Sequence, residues 1–356
     1  MSTVRALLAG LILTAGVSSP AEAGQVRFGG EGHVFHPVFS QDGRYIAFEV
    51  NRLAGQVDLY IAELNGDIAG EGRRVALPGT SAFGGGDVVA ANPAWHPENI
   101  VVFEGSNPGG QYRLYYFQPN GGAAMEMIAS TDLPGHITFP AVSADGRTMA
   151  FVAKQTGNGD IRTRDTTTAK IGQVTSTPAT EAFPLFSPDG RELLFTRRHA
   201  ETEDIFLVRQ SDGTERMVTG GPGDQTRPNW ARAGQRVVYF DNSRAEGEWD
   251  LISVDLQGGD AKRLAKAVNL PHRARPAVSP NGEWVAYTLD DPQRSGKVLL
   301  TRVDGSSTVE IDGRYTACAE PALVKQGDRV LLAYTALPQS GAEWRFLTVM
   351  ELHGDY

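Results

Sequence analysis

An all-β fold, a seven-bladed β-propeller of four-stranded antiparallel blades, is what this sequence predicts. Three observations carry the prediction. One motif recurs seven times at a period of 44 to 56 residues. The run after each motif is apolar on successive residues, as in sheets covered on both faces. A spare strand precedes the first motif, and three strands follow the start of the last.

The motif reads Pro, apolar, Ser-Pro-Asp-Gly-Arg or a variant, then a short apolar run ending in an aromatic. Its copies occupy residues 36–48 (HPVFSQDGRYIAF), 92–103 (NPAWHPENIVVF), 139–151 (FPAVSADGRTMAF) and 183–195 (FPLFSPDGRELLF). Residues 227–239 (RPNWARAGQRVVY), 275–287 (RPAVSPNGEWVAY) and 320–334 (EPALVKQGDRVLLAY) complete the set, the last looser by two residues. The leading prolines are Pro37, Pro93, Pro140, Pro184, Pro228, Pro276 and Pro321.

Each element has a local reason. Asp-Gly or Asn-Gly between apolar runs signals a hairpin whose two central residues both take positive φ. Runs such as Ile46-Ala47-Phe48 and Leu193-Leu194-Phe195 do not alternate, which implies burial on both faces. A third strand follows, opening on Asp58, Asp160, Asp204 or Asp250, and turns such as Ser211-Asp212-Gly213 lead to a fourth. An Asp repeated across blades points to a structural role for these four. Residues 25–28 supply the strand that residues 344–352 lack, so the chain ends close the ring and hide both sheet edges.

The flanks and composition set the compartment. Residues 6–17 are an unbroken small-apolar run, and residues 18–23 (SSPAEA) end in a small-x-small pattern. This is the layout of a signal peptide over residues 1–23, cleaved after Ala23, too short to span a bilayer. The mature chain, residues 24–353, reads as one domain, periplasmic or secreted and monomeric, with no membrane insertion after cleavage. A net charge of −9 argues against nucleic acid as a partner. Cys318 is the sole cysteine, so no internal disulfide forms, and it reads as a buried small apolar residue.

These SPDGR-type repeats resemble those of the TolB-like (WD40-like) β-propeller family over nearly the whole mature chain. TolB itself carries an α/β domain before a six-bladed propeller, and here the first repeat follows the signal peptide directly. The resemblance implies an envelope propeller whose business is contact with other molecules. Similar propellers precede the catalytic domain of prolyl-oligopeptidase-like hydrolases, but no Gly-x-Ser-x-Gly elbow occurs here and no such domain is expected after residue 352.

Equivalent blades would place the residues before the anchor prolines at one mouth of the channel: His36, Asn92, Phe139, Phe183, Arg227, Arg275 and Glu320. Paired arginines suit a carboxylate or phosphate, and a phenylalanine pair offers a platform. The plainer reading is that Arg227 or Arg275 pairs with Glu320 or with a neighbouring blade. The residues therefore predict a binding or scaffold protein, its partner an envelope protein segment or an anionic ligand. The alternative is a lyase or hydrolase acting on a carbohydrate or acidic small molecule, with His36, Arg227 and Arg275 as first suspects. No cofactor and no metal are expected. His33, His36, His136 and His272 could approach one another, but the Ser-His run of oligogalacturonate lyases is missing. Residues 66–91 read as a long loop, and its glycines at 84–86 follow no phosphate-cradling pattern.

Overall fold

The computed structural model of the chain describes residues 24–29, 31–52, 56–64, 70–78, 89–106, 110–155, 158–290, 296–311, 315–338 and 344–356. The expected signal peptide, residues 1–23, and the glycines at 84–86 lie outside the described residues. Among the described residues the chain is strand throughout, with a single 3-10 turn at Arg232–Gly234, and no helix is long and apolar enough to cross a membrane.

The strands form five four-stranded sheets and one of eight. In each four-stranded sheet the strands pair antiparallel in chain order, so each is one meander: repeat four runs Thr180–Phe186, Glu192–His199, Thr202–Arg209, Glu215–Met217. The eight-stranded sheet contains the first and last repeats. Its junction is Gly24–Phe28, which pairs antiparallel with Phe346–Leu352, Val26 opposite Leu347, and parallel with Glu71–Arg74. That last strand lies inside the span expected to be a loop. It is the fourth strand of repeat one, missed because EGRR carries no apolar signal.

Burial explains the unbroken apolar runs. Ile46, Ala47, Phe48 and Val50 on one strand, and Leu193, Leu194 and Phe195 on another, are fully buried, each strand being covered on both faces. Apolar clusters lie between successive repeats. One joins Tyr45, Leu59 and Ile61 of repeat one to Trp95, Val101 and Phe103 of repeat two. Another joins Val26, Phe48 and Tyr60 to Val324, Leu331 and Leu347 at the chain ends. Cys318 is buried as expected, its thiol donating to the Gly296 carbonyl.

The hairpin turns correct one detail. In the four Asp-Gly and Asn-Gly turns only the glycine takes positive φ (Gly43 70°, Gly146 73°, Gly190 72°, Gly282 76°), and the Asp or Asn before each does not. The turn is therefore a type I turn followed by a left-handed glycine, not the doubly left-handed form. The side chains show why. In repeat four the Ser187 hydroxyl donates to Asp189 Oδ1 at 2.6 Å and accepts the Glu192 N–H at 3.0 Å, while Asp189 Oδ1 accepts the Arg191 N–H at 3.1 Å. The same three bonds recur at Ser40, Ser143 and Ser279. Three of the four recurring third-strand carboxylates are held in place, as a structural role requires. Asp58 binds Arg52 and Arg74, Asp250 binds Arg244 and Arg263, and Asp160 accepts the Thr177 N–H. Asp204 departs: one of its oxygens is buried without a hydrogen bond, and burial raises its pKa.

Candidate functional site: a collar between two cavities

Positive φ at a residue preceding proline is costly, about 1–2 kcal/mol for a residue with a Cβ. Yet His36, Asn92, Phe139, Phe183, Arg227 and Glu320 all sit at φ between 48° and 58°. At each, the pairing between first and second strands shifts by a β-bulge. Six of the seven expected site residues thus share one backbone geometry, a kink that bends the first strand at its anchor proline. Arg275 is the exception, since the first strand of repeat six is only Ala277–Val278.

Carboxylates hold three of the six kinks, each from the preceding repeat. Glu320 accepts the His36 N–H. Glu49 accepts the Asn92 N–H at 2.7 Å and also meets His36 Nδ1 at 2.7 Å. Glu104 accepts the Phe139 N–H and an Asn92 side-chain N–H, both at 2.6 Å. Repeats seven, one, two and three are thereby linked in series around the site. Glu49 and Glu104 are almost fully buried, at 1% and 3% exposure. Burial raises the Glu104 pKa, opposed by Arg273 and by its hydrogen bonds.

The opposite arc is built from arginines. Arg275 donates from Nη1 to the Pro228 carbonyl at 2.8 Å and from Nη2 to the Pro184 carbonyl at 2.9 Å. Two anchor prolines of different repeats are thus tied by one guanidinium. Arg227 donates to the Pro271 carbonyl, and its Nε lies buried without a partner. Both guanidinium groups lie over the Phe183 ring, at 5.6 and 5.8 Å, and Phe183 packs on Phe139 with ring centroids 4.6 Å apart. Burial lowers the Arg227 pKa to about 10, and burial with the neighbouring Arg227 charge lowers that of Arg275 to about 9. Of the two plainer alternatives, Glu320 or a neighbouring blade, Arg275 shows the second, bonding carbonyls of two other repeats.

The collar adjoins two cavities. A cavity of about 420 Å³ is lined by residues from all seven repeats, including His36, Asn92, Phe139, Phe183 and Arg275. Arg227 and Glu320 flank it without lining it, one through Phe183 and the other through His36. A second cavity of about 570 Å³ lies on the other side, sharing Phe139, Phe183 and Arg273 with the first. Phe139 and Phe183, two of the seven expected mouth residues, thus stand with Arg273 as a waist between the cavities, and the second cavity is the vestibule before it.

Four residues that the motif did not single out complete the site. Glu49 and Glu104 follow the aromatic of YIAFEV and VVFEGS, and an acid inside a fully buried run was the available signal. His272 and Arg273 precede the shortened strand of repeat six, where no repeat signal exists. The His272 N–H donates to Glu320 at 2.9 Å, its ring meets Phe35 edge-on, and burial lowers its pKa. Arg273 reaches across from repeat six to Glu104 of repeat two at 3.3 Å.

No three metal-ligating side chains converge among the described residues. His36 is bound to Glu49, His136 Nδ1 accepts the Tyr112 N–H, and His33 packs on Trp344, so the histidines are dispersed. This donor set does not fit a metal centre.

Comparison with known proteins adds the following. A sequence profile of the TolB beta propeller domain matches residues 125–325. TolB from Acinetobacter baumannii is similar in structure, with 21% identity and a TM-score of 0.58 over 80% of this chain and 67% of that one. An oligogalacturonate lyase in complex with manganese aligns over 92% of this chain and 90% of its own, with 12% identity and a TM-score of 0.61. A puromycin hydrolase aligns over 86% of this chain, with 17% identity and a TM-score of 0.59, but the match spans only 50% of that enzyme. At these identities the likeness establishes the fold alone. No curated protein sequence matches the chain.

Proposed function

Because this chain belongs to the TolB beta propeller domain family, we propose that it is a seven-bladed ring working as a binding protein, periplasmic or secreted, for an anionic ligand or protein segment. The blade count is supported by dividing the eight-stranded sheet at Gly24–Phe28, which leaves four strands on each side. Closure is supported by Val26, 2% exposed, lying in the apolar cluster shared by the two chain ends.

The observation that carries the binding reading is the arginine pair. Arg227 and Arg275 are half-buried over the same Phe183 ring, and neither forms an ion pair among the described residues. Burial lowers both pKa values, partly offset at Arg227 by Glu203 and Glu320 and reinforced at Arg275 by Arg227. An oxyanion reaching Arg275 through the first cavity would supply the missing counter-charge, with a guanidinium fork suited to a planar carboxylate. The test is a crosslinking pull-down from the native envelope with wild type, Arg227→Ala/Arg275→Ala and Arg227→Lys/Arg275→Lys. The reading expects the partner to be lost from the alanine variant and partly kept by the lysine variant, which retains the charge. Undiminished capture by a folded alanine variant would reject it.

A lyase or hydrolase acting on an acidic carbohydrate is the second reading. It is favoured by Glu104, a carboxyl of raised pKa in the vestibule wall beside Tyr112. Turnover of uronate oligomers, abolished by Glu104→Gln, would establish it.

A further inference from the structure

The vestibule has a chemistry of its own, distinct from the arginine pair. Among the described residues Lys154 lines it with no ion pair and no hydrogen bond from its ammonium. Arg273 lines it too, and its one ion pair there is the 3.3 Å contact with Glu104. That carboxylate is a weak partner, because its other oxygen is committed to Phe139 and Asn92. The Thr138 hydroxyl is buried in the same wall without a hydrogen bond. On the waist side stands the Phe139–Phe183 pair, half-buried and fixed by the kinked backbone.

We infer that the vestibule binds a single carboxylate carried next to an aromatic or large apolar group. The carboxylate lies between Lys154 and Arg273, and the apolar group rests on Phe139 and Phe183. Two cations and Glu104 leave one net positive charge, which matches a monoanion and disfavours a phosphate dianion facing Glu104. A space of about 570 Å³ accepts a ligand of one or two residues. The ring pair is immobilised beforehand, so little ordering opposes binding. The chemistry is that of a peptide C-terminus ending in a large apolar residue, or of a free aromatic acid. This inference deepens the binding reading above, and it places the decisive contacts on different residues.

The test titrates the full-length protein with N-acetylphenylalanine and with its neutral amide, N-acetylphenylalaninamide. The acid is expected to bind at least about tenfold more tightly, the ratio a charge-assisted pair supplies. Lys154→Met should abolish the preference and Lys154→Arg should keep it. Lys154 is partly exposed and unpaired, so neither change threatens folding. Arg273→Met, read by the same ratio, is the second variant, and phenyl phosphate should bind more weakly than the acid. Equal affinity for acid and amide overturns the inference. So does a preference that survives Lys154→Met but disappears in Arg275→Met, since the carboxylate would then sit at the waist. If acetyl-Ala-Ala-Phe binds more tightly than 3-phenylpropionate, the carboxylate is a chain end; the reverse order identifies a free acid.

Discussion

Replacing Glu49 with alanine should destabilise the protein by about 4 kcal/mol, although Glu49 lies in no recognisable motif. One oxygen of this carboxylate serves two buried groups on different strands, the Asn92 N–H and His36 Nδ1, each at 2.7 Å. With 1% exposure no water replaces it. Each orphaned buried group costs about 1–3 kcal/mol, so the pair sets a range of about 2–6 kcal/mol. Unfolding entropy near 2.1 cal/mol/K per residue over about 330 residues makes 1 kcal/mol worth roughly 1.4 °C. A fall in Tm of about 6 °C follows, read by differential scanning calorimetry. Glu49→Gln keeps a carbonyl for one of the two partners and should fall by about 2 °C. The exposed Glu98→Ala is the control and should not move. If Glu49→Ala melts within 1 °C of wild type, carboxylates do not hold the kinked strands. Equal losses in the alanine and glutamine variants would likewise refute the hydrogen-bond account.

Other perturbations test separate links. Ser187→Ala removes both turn bonds and should cost about 1 kcal/mol, with faster hydrogen exchange at the Glu192 amide as the local sign. The Ser187 hydrogen bond holds the Asp189 carboxyl below its ordinary range. That contribution is present above the unfolded pKa and disappears as pH falls through the folded one. The gap between wild type and Ser187→Ala should therefore narrow as pH falls below the ordinary carboxylate range, to what the Glu192 N–H bond contributes. Val26→Asp buries a charge where the chain ends meet, and should lower stability by about 3 kcal/mol or more. Size-exclusion chromatography should then show self-association through the opened edge of Phe346–Leu352. Raising pH has two linked effects at the waist. Burial holds Arg275 at about 9 and Arg227 at about 10 in the folded chain, below the ordinary guanidinium range. The unfolded chain then binds more protons, so their contribution to stability rises with pH across that window. Anion affinity at the waist should fall over the same window, by about tenfold between pH 7 and pH 10.5, in a ligand titration.

How much of this was legible in the sequence follows from which signals repeat. Apolar runs, turn glycines and anchor prolines recur in nearly every copy, so sheet composition, chain-end pairing and burial of Cys318 could all be read. Positive φ before the proline could not. The residue there varies from His to Phe to Glu, and at His36, Asn92 and Phe139 the bend is held by carboxylates elsewhere in the chain. Glu49 and Glu104 are private to repeats one and two, and Arg273 to repeat six, so averaging over repeats hides them.

That asymmetry is itself an argument about where function resides. Successive four-stranded sheets need the same contact at every junction, and the apolar clusters between repeats meet that need with interchangeable residues. The polar contacts around the axis are not interchangeable. Carboxylates serve the junctions from repeat seven to repeat three, while arginines bonded to carbonyls serve repeats four to six. The collar is consequently negative on one arc and positive on the other, with the Phe139–Phe183 pair against the positive arc. Stability alone gives no reason to separate the charges, since alternating them would neutralise every guanidinium locally. A ligand with one anionic end and one apolar face does give a reason. The separation of charge across the waist, more than any single residue, therefore favours binding along the axis over binding at the rim.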